Sequence, residues 1–377
     1  LRAPYLTINH MVLADVRGDF NYDGNVVHLS GLHFNQHNGS YDGDFIYNTS
    51  SGWMNGRADV TKGDLASLLQ IANVPLKYVT GEVNGILTVN GLSSNPTLAL
   101  KGQLTDATLD GRVVDPAPLD LALEDGVFHV NQLTLQTGDS LLAAQGTYAF
   151  HGPVSLQVAA KNFPSRVLLD MLGKEGIAIE TPIDFAAELG GTGDDVEANV
   201  SAQLNGGTIN GVSFTNAYSL LNIKDGIIHV NQAYVARDPY KASMSGTIPV
   251  EALQGNRPDK SMDLTVRLDN AGLDVFTFLT PYVESATGSI GGSLNITGTL
   301  ADPKINGSVM TQGGSVKIKD VAYPLDQING SIVFNGRNVV LNASGTMDKK
   351  GAKNPGNISL EGNAAWQGWK LTQYSAS

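Results

Sequence analysis

The 377-residue chain contains no cysteine, which excludes disulfide staples, thiolate metal sites and a cysteine nucleophile in one step. That fits an oxidising compartment, where a stray thiol is a liability. Charge is scarce as well: 16% of residues are charged, with 36 acidic against 24 basic side chains and a net charge of -12. A phosphate backbone is bound by clustered Lys and Arg that displace counterions, so no nucleic-acid partner is expected. No stretch approaches the roughly eighteen apolar residues of a membrane span. The amino terminus reads as strand and lacks the basic and apolar regions of a secretion signal. The chain starts at Leu1 without Met and ends on Gln373-Tyr374-Ser375-Ala376-Ser377, so we expect an excised internal portion of a longer protein. Tryptophan is rare, and two of the three, Trp366 and Trp369, lie at the far end. A carbohydrate-active β-sandwich would want a cluster of exposed aromatics.

Catalytic constellations are missing too. There is no G-x-S-x-G elbow, P-loop or G-x-G-x-x-G in a strand-to-helix setting. Asp19, Asn21, Asp23 and Gly24 mimic the start of a calcium loop, but the twelfth position is Ser30 instead of Glu. His33 and His37 have the spacing of a helical zinc pair without the intervening Glu, and their flanks alternate like strand or turn. His129 and His229 share one repeat position, which suits a structural role. Asp194-Asp195 falls in a turn, and the sequons at Asn199, Asn295 and Asn342 fall on strands. The expectation is a protein that is not an enzyme and has neither metal nor cofactor.

What remains is a β-protein that repeats. The 43 glycines and abundant Asn, Thr, Val and Leu suit short strands and tight turns. The segment DGVFHVNQLTL (Asp125 to Leu135) recurs as DGIIHVNQAYV (Asp225 to Val235), with weaker copies from Asp23 and Asn335. Their turn glycines, Gly24, Gly126, Gly226 and Gly336, are spaced 102, 100 and 110 residues apart. A second landmark, GILTVNGLSSNPTLALKGQL from Gly85, returns as GSLNITGTLADPKINGSV from Gly292, and its glycines 91, 193 and 298 lie 102 and 105 apart. Two landmarks thus report one period of about a hundred residues. We read 1–61 as a partial first repeat and 62–163, 164–269 and 270–377 as successive repeats of one continuous array.

Before each second landmark runs a stretch with apolar residues at three- and four-residue steps: Lys62 to Val74, Pro164 to Gly176 and Asn270 to Val283. Each predicts one short amphipathic helix. Elsewhere the period is two. Val154, Leu156, Val158 and Ala160 oppose Ser155, Gln157 and Lys161, and Met262, Leu264, Val266 and Leu268 oppose Asp263, Thr265 and Arg267. With Asp-Gly and Asn-Gly turns as hairpin punctuation, the sequence predicts roughly twenty-five to thirty antiparallel strands with one apolar face. One short helix per hundred residues cannot cover that face. The sheet must therefore fold over on itself, either closing as a sandwich core at about 10 Å or leaving a groove.

The order helix, then G-x-L-x-V-x-G-x-x-x-x-P-x-x-x-G-x-L, then a DG hairpin resembles the TamB and AsmA-like family over nearly all of the chain. This resemblance implies an elongated, twisted antiparallel β-sheet with a few short helices, folded into a taco-like hydrophobic groove. It also implies a place in the periplasm of a diderm bacterium, with an inner-membrane anchor on the full-length protein. The function implied is phospholipid transport to the outer membrane in support of its biogenesis, with acyl chains as cargo. The TamB branch, the translocation and assembly module, further implies partnership with an Omp85-type outer-membrane barrel. Against the family pattern the chain lacks the anchor helix and shows no clear C-terminal family domain. The groove lining expected is Leu98, Leu100, Leu121, Val130, Leu156, Val158, Val200, Ile228, Leu264, Val266, Leu294, Ile296, Leu341 and Leu360. The alternatives are a closed sandwich core for these residues and, for function, an outer-membrane protein assembly factor or a repetitive surface adhesin.

Overall fold

The computed structural model describes the chain apart from residues 9–10, 72–77, 150–151, 172–177, 193–194, 210–211, 254–259, 276–282, 348–355 and 369. Asp194 and Trp369, singled out from the sequence, lie outside the described residues. The fold is all-β, with 27 strands, three short α-helices and one 3-10 turn among the described residues. Twenty-five strands belong to one antiparallel sheet that does not close into a barrel, and the hairpin of Gly207–Ile209 and Val212–Phe214 stands apart from it. The chain divides into two compact units, Leu1–Lys174 with Pro182–Glu197, and Glu175–Thr181 with Ala198–Ser377.

Within each unit the strands pair largely in chain order, and the repeated sequence supplies a repeated corner. In HVNQ the ladder register shifts between Val130 and Leu133, and again between Val230 and Ala233. The weaker first copy shifts between Leu29 and Leu32. A bulge of this kind bends the strand and increases its twist. Opposite it stands a glycine: Gly146 pairs with Val130 and Gly246 with Val230. Both have φ near +135° (135 and 134), and a Cβ on either would land on a carbonyl oxygen of the next strand, that of Ser155 or Asp263. Only glycine takes that backbone in a strand interior, and the bulge–glycine pair is a way of curving a sheet. The DG turns follow the hairpin rule too. Asp125 and Gly126 both have positive φ, as do Asp225 and Gly226, which is the two-residue type I′ arrangement.

The two landmarks of the sequence meet in space. Asn95, in the G-x-x-x-x-P turn, donates to Asp125 at 2.9 Å. In the last copy Asp302 accepts from Arg337, with Nε at 3.2 Å. Two of the three expected helices form, as Leu65–Ile71 and Ser165–Met171. The third stretch gives a single 3-10 turn, Leu273–Val275, and residues 276–282 lie outside the described set. An unexpected four-residue helix, Val250–Leu253, follows the strand Tyr240–Pro249.

Candidate functional site

Residues directly opposite in an antiparallel ladder point to the same face, so the register shows which side chains share a surface. In the first unit an unbroken row runs Ala58, Leu87, Leu100, Leu121, Val130, Gly146, Leu156 and Leu189. Leu98, two residues from Leu100, starts a parallel row through Leu123, Phe128 and Tyr148 to Val154. Val158 faces the same way through Ala144 and Leu133. In the second unit the row Val200, Leu221, Val230, Gly246, Leu264, Ile296 and Ile305 is flanked by Met244, Val266, Leu294, Gly307, Phe334 and Val339. Ile228 joins Ile223 and Ile248 beside it. Leu341 lies between Ile332 and Gly362, and Leu360 opposite Ala343. The structure therefore places Leu98, Leu100, Leu121, Val130, Leu156 and Val158 on one face of the first unit. It places the remaining eight on one face of the second.

The opposite face is polar and internally bonded. Lys101 reaches Asp120 at 3.0 Å, and the Asn131 amide donates to the same carboxylate. Partial burial pushes the Asp120 carboxyl up, but these two donors outweigh it and leave the group below the ordinary carboxylate range. Asn222 donates to Asn199 and Asn295 to Asp263, each at 2.9 Å. Two of the three sequon asparagines are thus side-chain rungs across strands. The near-miss metal motifs are dispersed in the same way. Asp19, Asn21 and Asp23 alternate along the strand Met11–Asp23. His33 stands on the strand Val26–Gln36 with Nδ1 2.6 Å from Asp42, while His37 occupies a turn with φ 51°. The His33 hydrogen bond holds the Asp42 carboxyl below its usual range.

Coverage of the apolar face differs between the units. In the first, the helix Leu65–Ile71 buries Leu65, Leu68 and Leu69, each burial stabilising by up to about 1.5–3 kcal/mol. Asp64 starts this helix, accepting from the Ser67 N–H at 2.8 Å and from its hydroxyl at 2.6 Å, as an N-cap does. Between Leu68 and Leu69 and the sheet side chains Leu87, Leu98, Leu100, Leu121, Leu123 and Phe128 only about 60 Å³ remains, room for a few water-sized groups. This helix therefore plugs the apolar face it packs against.

The second unit holds a cleft of about 550 Å³. Ile290, Val309, Ile332, Leu341 and Leu360 line its length, and Val283, Val316, Ile318, Val321, Leu325 and Met347 continue it. Leu360 is 38% exposed, although it lies on the apolar face. The expected lining residues Leu341 and Leu360 meet in this cleft, whereas Leu98, Leu100 and Leu121 meet beneath the helix of the first unit. Sequence reasoning missed Ile290, Val309, Val316 and Ile332. Alternation with Leu294 and Leu341 reaches Ile290, Val309 and Ile332, the last two paired with each other and Ile332 with Leu341, whereas Val316 lies beyond two register shifts that the sequence does not announce.

Among the described residues no group of three His, Cys, Asp or Glu side chains could hold a metal ion, and no helix is long and apolar enough to cross a membrane. In comparison with protein families, residues 131–363 match the TamB C-terminal domain, well over half of the chain. No curated protein and no solved structure matches. The match corrects the expectation that the C-terminal family domain is missing: its motifs are so degenerate that they read as generic repeats.

Proposed function

Because this chain belongs to the TamB family, we propose that its apolar face carries phospholipid acyl chains in the periplasm, between inner and outer membrane, and so supports outer-membrane biogenesis. TamB proteins are envelope-associated and serve transport and assembly. The observation that carries the lipid reading is the cleft of the second unit. It offers about 550 Å³ lined mainly by Leu, Ile, Val and Met side chains, several of them half-exposed. Each methylene moved from water to such a surface gains about 0.8 kcal/mol. A lining of similar aliphatic side chains gives a tail many near-equal positions, which suits passage better than one tight site. No catalytic role is assigned: Lys101, Asp120 and Asp263 are bonded across strands on the polar face, and Asp64 caps a helix. The inner-membrane anchor of the full-length protein and an Omp85-type partner belong to this reading as its proposed surroundings.

Photocrosslinking tests it. A photoreactive residue at Leu341 or Leu360 should label phospholipid in cells, while one at Asn342 or Glu361, neighbours on the polar face, should not. Labelling from the polar positions alone, or labelling of protein alone from the cleft, would reject the lipid reading in favour of an assembly role.

A further inference from the structure

We propose that Phe334 and Trp366 form the end wall of the cleft and set the length of acyl chain it accepts, an inference that rests on the lipid reading above. The strands Pro303–Ile318, Leu325–Gly336, Asn338–Met347 and Gly356–Gln367 pair in that order. Pro303 and Trp366 are therefore three strand steps apart, about 14 Å in a flat sheet. Yet the Trp366 indole N–H donates to the Pro303 carbonyl at 3.3 Å, and the Gly368 N–H to the Asp302 carboxylate at 3.3 Å. The outer strands can meet because the hairpin between them stops at Gly336-Arg337, and they run past its tip.

That tip is held from both sides. The Arg337 guanidinium clasps Asp302, the Arg337 carbonyl accepts from the Trp366 backbone N–H at 3.0 Å, and the Gly336 N–H donates to Asn306 at 3.0 Å. The indole is thus fixed through its ring nitrogen and its own backbone. Its ring centre lies 5.8 Å from that of Phe334. Phe334 in turn packs against the buried cluster that includes Ile290 and Val309, which line the cleft.

Along one strand the order is then Leu325, Ile328 and Ile332 in the cleft, Phe334 at its end, and the clasped tip beyond. Leu325 to Ile332 spans somewhat less than the roughly 24 Å of a fully extended run, because the strand bulges between Asp326 and Asn329. A cleft of 550 Å³ takes on the order of eighteen groups the size of water or methylene, at about 30 Å³ each. Both figures fit one acyl chain lying along the strands, its methyl end against the aromatic pair. The tail cannot advance without displacing a ring that is anchored at its nitrogen.

The test is the acyl composition of lipid that copurifies with the chain from bacterial cells, read by mass spectrometry. Trp366→Ala should lengthen the mean bound chain by about two to four carbons, the space of the lost indole. Leu341→Trp, which fills the cleft beside the wall, should shorten it, and Trp366→Phe, which keeps a ring but loses the anchoring N–H, should lengthen it by less than Trp366→Ala does. Should Trp366→Ala fail to fold, Phe334→Leu, which opens the wall from its other ring, should lengthen the bound chain and decides in its place. Folded variants that all carry the wild-type length distribution overturn the end wall while leaving the lipid reading intact. A wild-type chain that carries no lipid overturns both.

Discussion

A single carboxylate in the cleft should abolish most of its lipid affinity. Leu341 sits between Ile332 and Gly362 on the apolar face, so Leu341→Asp places a hydrated charge in the lining next to its Phe334 end. An acyl tail must keep clear of that hydration shell, which denies burial to roughly five methylenes at about 0.8 kcal/mol each, about 4 kcal/mol in all. The cleft is open to solvent, so about half of that, near 2 kcal/mol, is the better figure, a loss of roughly 30-fold in affinity. The assay is equilibrium binding of a fluorescent phosphatidylglycerol, with circular dichroism confirming the fold. Leu341→Met, which keeps volume and polarity, should bind as wild type. Asn342→Asp adds the same charge to the polar face and should also bind as wild type. Undiminished binding by folded Leu341→Asp, or an equal loss from Asn342→Asp, would refute the assignment of the lipid to this face.

Three further outcomes follow from side chains in the two units. Tyr41 is 2% exposed, stacks on Phe34 at 4.8 Å, and its hydroxyl has no hydrogen-bond partner. Tyr41→Phe should therefore raise stability in thermal denaturation by about 1 kcal/mol. Burial, and secondarily the Asp64 charge, pushes the Tyr41 hydroxyl up to about 12. Between pH about 10 and 12 the unfolded chain releases a proton that the folded one holds, so wild-type stability falls with rising pH, by up to about 2–3 kcal/mol. Tyr41→Phe should flatten that alkaline slope. Gly246→Ala, at φ +134° with Asp263 backbone in the way, should cost about 3 kcal/mol or more in a urea titration. Asp64→Ala removes the N-cap of the Leu65–Ile71 helix and should cost about 1 kcal/mol, seen as faster amide exchange around Leu68 and Leu69.

Much of the sheet was legible because its signals are local. Alternation put Leu156 and Val158 on one face and Ser155 and Gln157 on the other, and the ladder agrees. Asp125-Gly126 and Asp225-Gly226 announced their hairpins, since two positive φ angles in succession ask for such residues. The corner was visible only as a repeat. HVNQ recurs, but nothing in its letters says that Val130 and Val230 begin a bulge, because the bulge depends on the partner strand and its glycine. The third expected helix, over 270–283, shows the turn Leu273–Val275 among the described residues, and residues 276–282 lie outside them.

The site is less legible for a reason that belongs to β-structure itself. Leu100 and Leu341 carry the same sequence signature, an aliphatic residue in a two-residue period on a repeat strand. Leu100 is buried at 6% exposure beneath Leu68 and Leu69, whereas Leu341 borders a 550 Å³ cleft. Periodicity reports direction, and direction is identical in the two places. What differs is the distance to the next packed element, which is set by a helix capped at Asp64 in one unit and by the Pro303–Trp366 contact in the other. A uniform aliphatic face can thus be closed core in one unit and the lining of an open cleft in another with no change in its own residues. The groups that decide between the two are polar ones that alternation does not report: a capping carboxylate, a clasped arginine and an indole nitrogen.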